Sequence, residues 1–196
     1  QINNLTLFCN DFRLLKFDKK FDYIISTGVI HHLDDPSSAL KYFNDNLNED
    51  GVIDLMVYGD KKSYAITQLK KIFNKLNLNQ DLSSINLAKN IVNKLHNKHP
   101  VKIICNNSID FKHSAGIVDL LLHKKETFYS IKDLVSLLSK NNLIIKNFFN
   151  GNLTSITKFF LDDEKVLKNI RNLSPEEKWE LGQILNWDDR NIEIVC

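Results

Sequence analysis

Apolar residues along this chain fall into two rhythms. The first is a set of short runs, bulky on both faces: Leu5 to Cys9, Asp22 to Thr27, Val52 to Tyr58, Leu143 to Phe149 and Asn191 to Cys196. Tyr23, Ile24 and Ile25 are consecutive bulky residues, as expected of a strand covered by helices on both sides. The second rhythm has helical spacing. It predicts helices from Pro36 to Leu47 (Ala39, Leu40, Phe43 and Leu47 on one face), Tyr64 to Leu76, Ile85 to Leu95, Ile117 to His123, Ser130 to Asn141, and Pro175 to Leu185. Residues 101–113 give only a short apolar group, Val101 to Cys105, and then polar loop residues.

Punctuation supports these boundaries. Asp35 before Pro36 reads as an N-cap followed by proline at the first helical position. Ser130 with Asp133 reads as a capping pair, and Ser174-Pro175-Glu176-Glu177 as a helix start. Gly51 reads as a left-handed C-terminal cap for the helix before it. His99-Pro100 reads as a helix stop and Asn150-Gly151-Asn152 as a turn. Strands alternating with helices predict an α/β class with a mostly parallel sheet. Between the Asp22–Thr27 strand and the helix at Pro36 lies the loop Gly28 to Asp35, leaving the carboxyl end of a strand. In open α/β sheets that is where ligands bind.

Composition narrows the classes. The chain has 196 residues, 43% of them hydrophobic, enough for one domain with a real core. A net charge of +2 without a basic run gives no support for nucleic acid or a membrane surface as partner. Cys9, Cys105 and Cys196 are far apart and form no CxxC pair, which suggests a reducing, cytoplasmic compartment and no metal cluster. No run reaches the length of a membrane span. The chain opens on Gln1 almost inside an apolar segment, so we expect a piece of a longer protein.

The wording of the central loop goes further than its periodicity. FDYIISTGVIHHLDDPSSAL followed by LNEDGVIDLMVYG resembles the class I S-adenosylmethionine-dependent methyltransferases. Downstream, VDLLLHKKETFYSIKDLVSLLSKNNL and LSPEEKWELGQIL resemble one branch of these enzymes, sometimes joined to upstream tetratricopeptide repeats. The resemblance implies a Rossmann-like sheet flanked by helices, truncated at its N-terminus and carrying helical insertions. It divides the chain into a cofactor-side part (1–59), a helical insert or lid (60–128) and a C-terminal α/β part (129–196). The family's first strand, its Gly-rich loop and the acidic residue of its second strand have no counterpart here. The resemblance therefore implies half of a cofactor site, and a fragment inactive by itself.

For S-adenosylmethionine as cofactor, the matching positions are Asp11 and Phe12, for the adenine, and Ser26, Thr27 and Gly28, whose backbone lines the methionine end. The plainer alternative is a turn aspartate, a core phenylalanine and a buried hydroxyl. His31 and His32 are candidate catalytic residues, because an imidazole titrates near neutrality. Adjacent side chains diverge, which makes the pair a poor metal site. Tyr58, ending the next strand, joins them. Asp119, His123 and Tyr129 form a candidate substrate cluster, or else a helix surface with His123 near its C-terminus.

The expected activity is methyl transfer to a small-molecule or glycan-like acceptor. Alternatives are an inactive methyltransferase-like scaffold and another doubly wound nucleotide-binding enzyme, since fold alone does not fix function. In the family's topology the missing strands lie between Leu5–Cys9 and Asp22–Thr27. Both runs are then expected to present unpaired apolar edges prone to self-association.

Overall fold

Four of the five apolar runs form strands of one sheet. The computed structural model describes residues 3–149, 156–160, 163–185 and 191–196, with side chains at 62, 63, 158 and 159 excepted. The strands are β1 (Phe21–Thr27), β2 (Leu47–Tyr58), β3 (Asn147–Phe148) and β4 (Asn191–Val195), in spatial order β1-β2-β4-β3. β1 and β2 are parallel, with Ser26 opposite Leu55 and Thr27 opposite Met56. β4 slots between β2 and β3 and runs antiparallel to both. The α/β class is borne out. Among the described residues one strand pairing is parallel and two are antiparallel, because the closing strand enters from the opposite end of the sheet.

The helices are α1 (Pro36–Asp45), α2 (Asp60–Lys75), α3 (Leu82–Lys94), α4 (Pro100–Asn107), α5 (Ser114–Ile117), α6 (Ile131–Lys140), α7 (Glu164–Arg171) and α8 (Pro175–Leu185). Their starts follow the predicted chemistry. Asp35 accepts the Ser38 N–H at 3.1 Å with Pro36 next in line, and Ser130 accepts the Asp133 N–H at 3.1 Å. Ser174 and Glu177 exchange reciprocal bonds, Ser174 N–H to Glu177 at 2.7 Å and Glu177 N–H to Ser174 Oγ at 3.1 Å, a complete capping box.

Several expectations are corrected. Leu5 to Cys9 is not a strand: Leu7 is 82% exposed, and among the described residues no neighbouring strand supplies the ladder that would fix the backbone. Gly51 does not cap α1. That helix closes on Asn46, whose Nδ2 donates to the Tyr42 carbonyl at 2.8 Å, and β2 has already begun at Leu47. Gly51 sits inside β2 where the register against β1 slips; a Cβ there would lie 3.0 Å from the Phe21 carbonyl oxygen. Pro100 opens a helix where the pattern of residues 101–113 predicts only a short apolar group and a loop: it stands at the first position of α4, and His99 Nδ1 accepts the Val101 N–H at 3.2 Å. The Leu143–Phe149 run shortens to the two residues of β3. The turn expected at Asn150-Gly151-Asn152 lies outside the described residues.

Buried side chains form two separate clusters. One packs the sheet against α1 and α6, through Leu40, Ile53, Leu55, Leu134, Leu138 and Ile194. The other lies among the helices between β2 and α6, through Ile66, Phe73, Val92, Val101, Leu120 and Leu121. The outer edge of β1 has no ladder partner among the described residues, and Tyr23 and Ile25 on it are 49% and 63% exposed.

Candidate active site

β1 ends at Thr27, and Gly28 turns the chain with φ +72°, a conformation that strains any residue bearing a Cβ. A 3-10 turn (Ile30–His32) then lifts both histidines to the carboxyl end of the sheet. The helical cluster supplies the facing wall. Its last helix, α5, widens into a π-helical turn (Val118–Leu122) that carries Asp119 and ends at His123. Such single widened turns recur at functional sites because they re-aim a side chain.

The two walls meet through polar contacts. Tyr58, at the end of β2, donates its hydroxyl to Asp119 Oδ2 at 3.1 Å. His32 Nε2 lies 3.1 Å from Asp119 Oδ1. His32 Nδ1 lies 3.2 Å from the Lys125 carbonyl, and His123 Nδ1 lies 2.6 Å from the same oxygen. The His32 and His123 rings are 4.0 Å apart, and buried His31 stacks on Tyr58 at 4.1 Å. The Thr127 N–H donates to the His31 carbonyl at 2.8 Å, and Lys125 pairs with Asp34. Residues 31, 32, 58, 119 and 123, from three separate stretches of sequence, thus converge.

Proton bookkeeping follows from the acceptors. A carbonyl oxygen only accepts, so His32 and His123 both carry a proton on Nδ1. His32 Nε2 then faces a carboxylate, which also only accepts when ionised. The contact holds with one proton between them, on the imidazole or on the carboxyl. His32 and Asp119 therefore form a one-proton unit, steadied by the Tyr58 hydroxyl.

Tyr129 enters the site by its backbone. Its N–H donates to the Tyr58 carbonyl at 2.9 Å and its carbonyl accepts the Asp60 N–H at 3.0 Å. The ring packs in the sheet core, and burial pushes its phenol up to about 12. Buried Gln183 of α8 locks this corner: Oε1 accepts the Ile131 N–H at 3.2 Å, and Nε2 donates to the Tyr129 carbonyl at 3.2 Å.

On the cofactor side the predicted residues separate. Phe12 stacks on Phe43 with centroids 5.3 Å apart and helps line an apolar cavity of about 360 Å³ along the outer edge of β1, with Ile24, Ile25, Val29 and Tyr42. Ser26 is buried, and its Oγ has no hydrogen-bond partner among the described residues. Thr27 is exposed. Asp11 is engaged by its neighbour: Arg13 bonds it through Nη2 at 2.7 Å and through its backbone N–H at 3.0 Å. These bonds hold the exposed carboxyl down to about 2.

Sequence reasoning missed Glu126 and Lys70, a buried ion pair tying α2 to the loop before Tyr129. The KKE string after His123 was the one visible sign of the first; nothing marked Lys70 among the other lysines of α2. Side-chain atoms of His31, His32 and Glu126 approach within 4.8 Å, a spacing a metal could use. The donor chemistry opposes it. Lys70 already supplies the cation at Glu126, and both His32 nitrogens face acceptors.

Comparison with known proteins agrees with this architecture. Residues 4–98 match the family model described as "Methyltransferase domain". The chain is also similar in fold to two solved structures of PKMT2 from Rickettsia typhi, one of them in complex with AdoHcy. The TM-scores are 0.70 and 0.69 at 15% identity, over 93% of this chain and 37% and 36% of those chains. This chain thus spans little more than a third of those proteins, and at that identity the likeness is one of fold. Together, family match and fold bear out the resemblance to class I S-adenosylmethionine-dependent methyltransferases.

Proposed function

We propose that this chain carries the acceptor side of an S-adenosylmethionine-dependent methyltransferase, acting on a small molecule. The observation that carries the proposal is the convergence of His32, Asp119, Tyr58 and His123 where β1 and β2 end. The residues toward the cofactor fit it: an apolar cavity lined by Phe12 and Val29, a left-handed Gly28 that brings bare backbone to the surface, and an orphaned Ser26 hydroxyl beside it. The bound cofactor supplies an electrophilic methyl group.

The chain's own contribution is alignment and proton handling. Alignment of nucleophile and methyl is the larger effect, worth about 7–11 kcal/mol in well-oriented systems. When the acceptor is a hydroxyl or an ammonium, its proton must leave. The His32–Asp119 unit, in the form that lacks its shared proton, takes it up; such proton transfer contributes roughly 10²- to 10⁴-fold. Tyr58 and the Lys125 carbonyl keep the two groups in register. The helical cluster closes over this end of the sheet as a lid. Cys9, Cys105 and Cys196 form no disulfide, which suits a reducing compartment. Among the described residues no helix is long and apolar enough to cross a membrane.

The test is calorimetric titration of S-adenosylhomocysteine. Binding that Gly28→Val abolishes supports the reading. The titration is made with protein that also carries the family's Gly-rich half of the site, with this chain alone as control; no binding to that well-folded protein refutes the reading and leaves a scaffold of the same shape. Transfer of labelled methyl from S-adenosylmethionine into small molecules of a cell extract reports the second half. It is expected to fall in His32→Gln and Asp119→Asn, while both variants still bind S-adenosylhomocysteine.

A further inference from the structure

Beside the His32–Asp119 unit opens a second cavity of about 470 Å³, lined by His32, Asn79, Gln80, His123, Lys124 and Lys125. Every one of these side chains carries N–H groups; none is a carboxylate and none is apolar. The charges are unequally spent. Lys125 is neutralised by Asp34. Lys124 is not: its Nζ donates to the neutral Asn79 Oδ1 at 3.2 Å, and among the described residues no carboxylate lies within 4.0 Å of it. Gln80 contributes only a long contact, 3.5 Å, to the Leu122 carbonyl. His123 has committed Nδ1 to the Lys125 carbonyl, which leaves its other nitrogen for a ligand. Asn79 Nδ2 also donates to the Asn77 carbonyl at 3.2 Å; even so, an ammonium without a counter-ion among the described residues, two side-chain amides and an imidazole edge form a set in which donors outnumber acceptors and no anion balances the cation.

Resting on the methyltransferase reading of the adjoining site, we propose that the methyl acceptor bears an anionic group, a carboxylate or a phosphate, which seats in this cavity. Lys124 supplies the opposing charge, Asn79, Gln80 and His123 the directed hydrogen bonds. The cavity has the size of a small-molecule site. His32 is shared by both compartments. One edge of it lines the anion cavity and Nε2 faces Asp119, so an anion anchored at Lys124 places the rest of the molecule along the imidazole toward the proton-accepting unit. The acidic face of the site, Asp119 with Tyr58, is kept apart from the anion by the width of that ring.

The test titrates inorganic phosphate and, separately, succinate into the full chain at constant ionic strength, with chloride as control. The readout is the NMR shift of the His32 and His123 ring C–H signals and the Asn79 and Gln80 side-chain amides. Saturable shifts confined to these residues are expected, and the tighter probe identifies the source as phosphate or carboxylate. Lys124→Gln should weaken binding roughly tenfold or more, as loss of a charge-assisted bond does; Lys124→Arg should largely restore it, and Lys41→Gln on α1 should change nothing. Shifts no larger than those from chloride, or equal affinity in Lys124→Gln, overturn the proposal. S-adenosylhomocysteine titrated into protein that also carries the Gly-rich half of the cofactor site separates the two readings. Its binding without anion binding refutes the anion site alone; anion binding without it refutes methyl transfer and leaves the anion site standing.

Discussion

Gln183 offers the sharpest test of how the site is held, because it is buried and its bonds can be counted. Replacing it with leucine keeps the volume and removes the acceptor for the Ile131 N–H, the first amide of α6, which has no partner within its own helix. The Tyr129 carbonyl retains the Asp60 N–H, so one buried donor is orphaned rather than two. An orphaned buried donor costs about 1–3 kcal/mol. With a urea slope of about 2 kcal/mol per molar, a loss of about 2 kcal/mol lowers the unfolding midpoint by about 1 M. Gln183→Glu supplies the control for mechanism. Its carboxylate can still accept from Ile131 but faces the Tyr129 carbonyl and the Asp60 carboxylate, which Gln183 Nε2 approaches at 3.4 Å. Burial and the neighbouring negative charge raise the pKa of the new Glu in the folded state above its unfolded value. The variant's deficit should therefore be smallest below the unfolded pKa and grow as pH rises through the folded one. A Gln183→Leu midpoint equal to wild type, together with a pH-independent deficit in Gln183→Glu, would show that this corner is not held as described.

Three further outcomes are expected. Gly116→Ala places a Cβ 2.3 Å from the Asp110 carbonyl oxygen, so α5 must lift off the turn beneath it; thermal melting should show a loss of about 2 kcal/mol or more. Asp11 should titrate by NMR with a midpoint of about 2, and Arg13→Ala should return it toward 3.8; any stabilisation from this exposed pair is present above the ordinary carboxyl range and lost as pH falls through about 2. The bare edge of β1 should make the chain self-associate in sedimentation, and Ile25→Lys should reduce this by placing a charge on the edge; a clean monomer at high concentration would contradict it.

The strands and helices that read well from sequence were those whose signals are local. Asp35-Pro36, Ser130 with Asp133 and Ser174 with Glu177 each specify a helix start within four residues, and each was found there. Leu5 to Cys9 failed because a strand exists only with a partner, and hydrophobicity does not say whether one is present. Gly51 was misread because a tight approach to the Phe21 carbonyl and a left-handed cap ask for the same residue. At the site, His31, His32, Tyr58, Asp119 and His123 were legible from the wording of two segments, yet nothing in either segment said they would touch. That juxtaposition depends on the π-helical turn at Val118–Leu122, which changes the direction of Asp119 without leaving a compositional trace. Tyr129 reaches this corner by its backbone and not by its phenol, a distinction that residue type does not carry.

The two hydrophobic clusters have a consequence for motion. Each is a packed body of its own, and several of the contacts between them are the polar bonds of the site: Tyr58 to Asp119, His32 to Asp119, Thr127 to His31. A seam of hydrogen bonds opens more cheaply than an apolar core, so amides along it should exchange with deuterium through local separation rather than global unfolding. A molecule that bridges both walls works against that separation, by about 2.7 kcal/mol at a hundredfold excess over its dissociation constant. The Thr127 amide, whose hydrogen bond crosses the seam, then becomes a gauge: its exchange slows in proportion to how firmly a ligand clasps the two bodies together, before anything is known of the reaction between them.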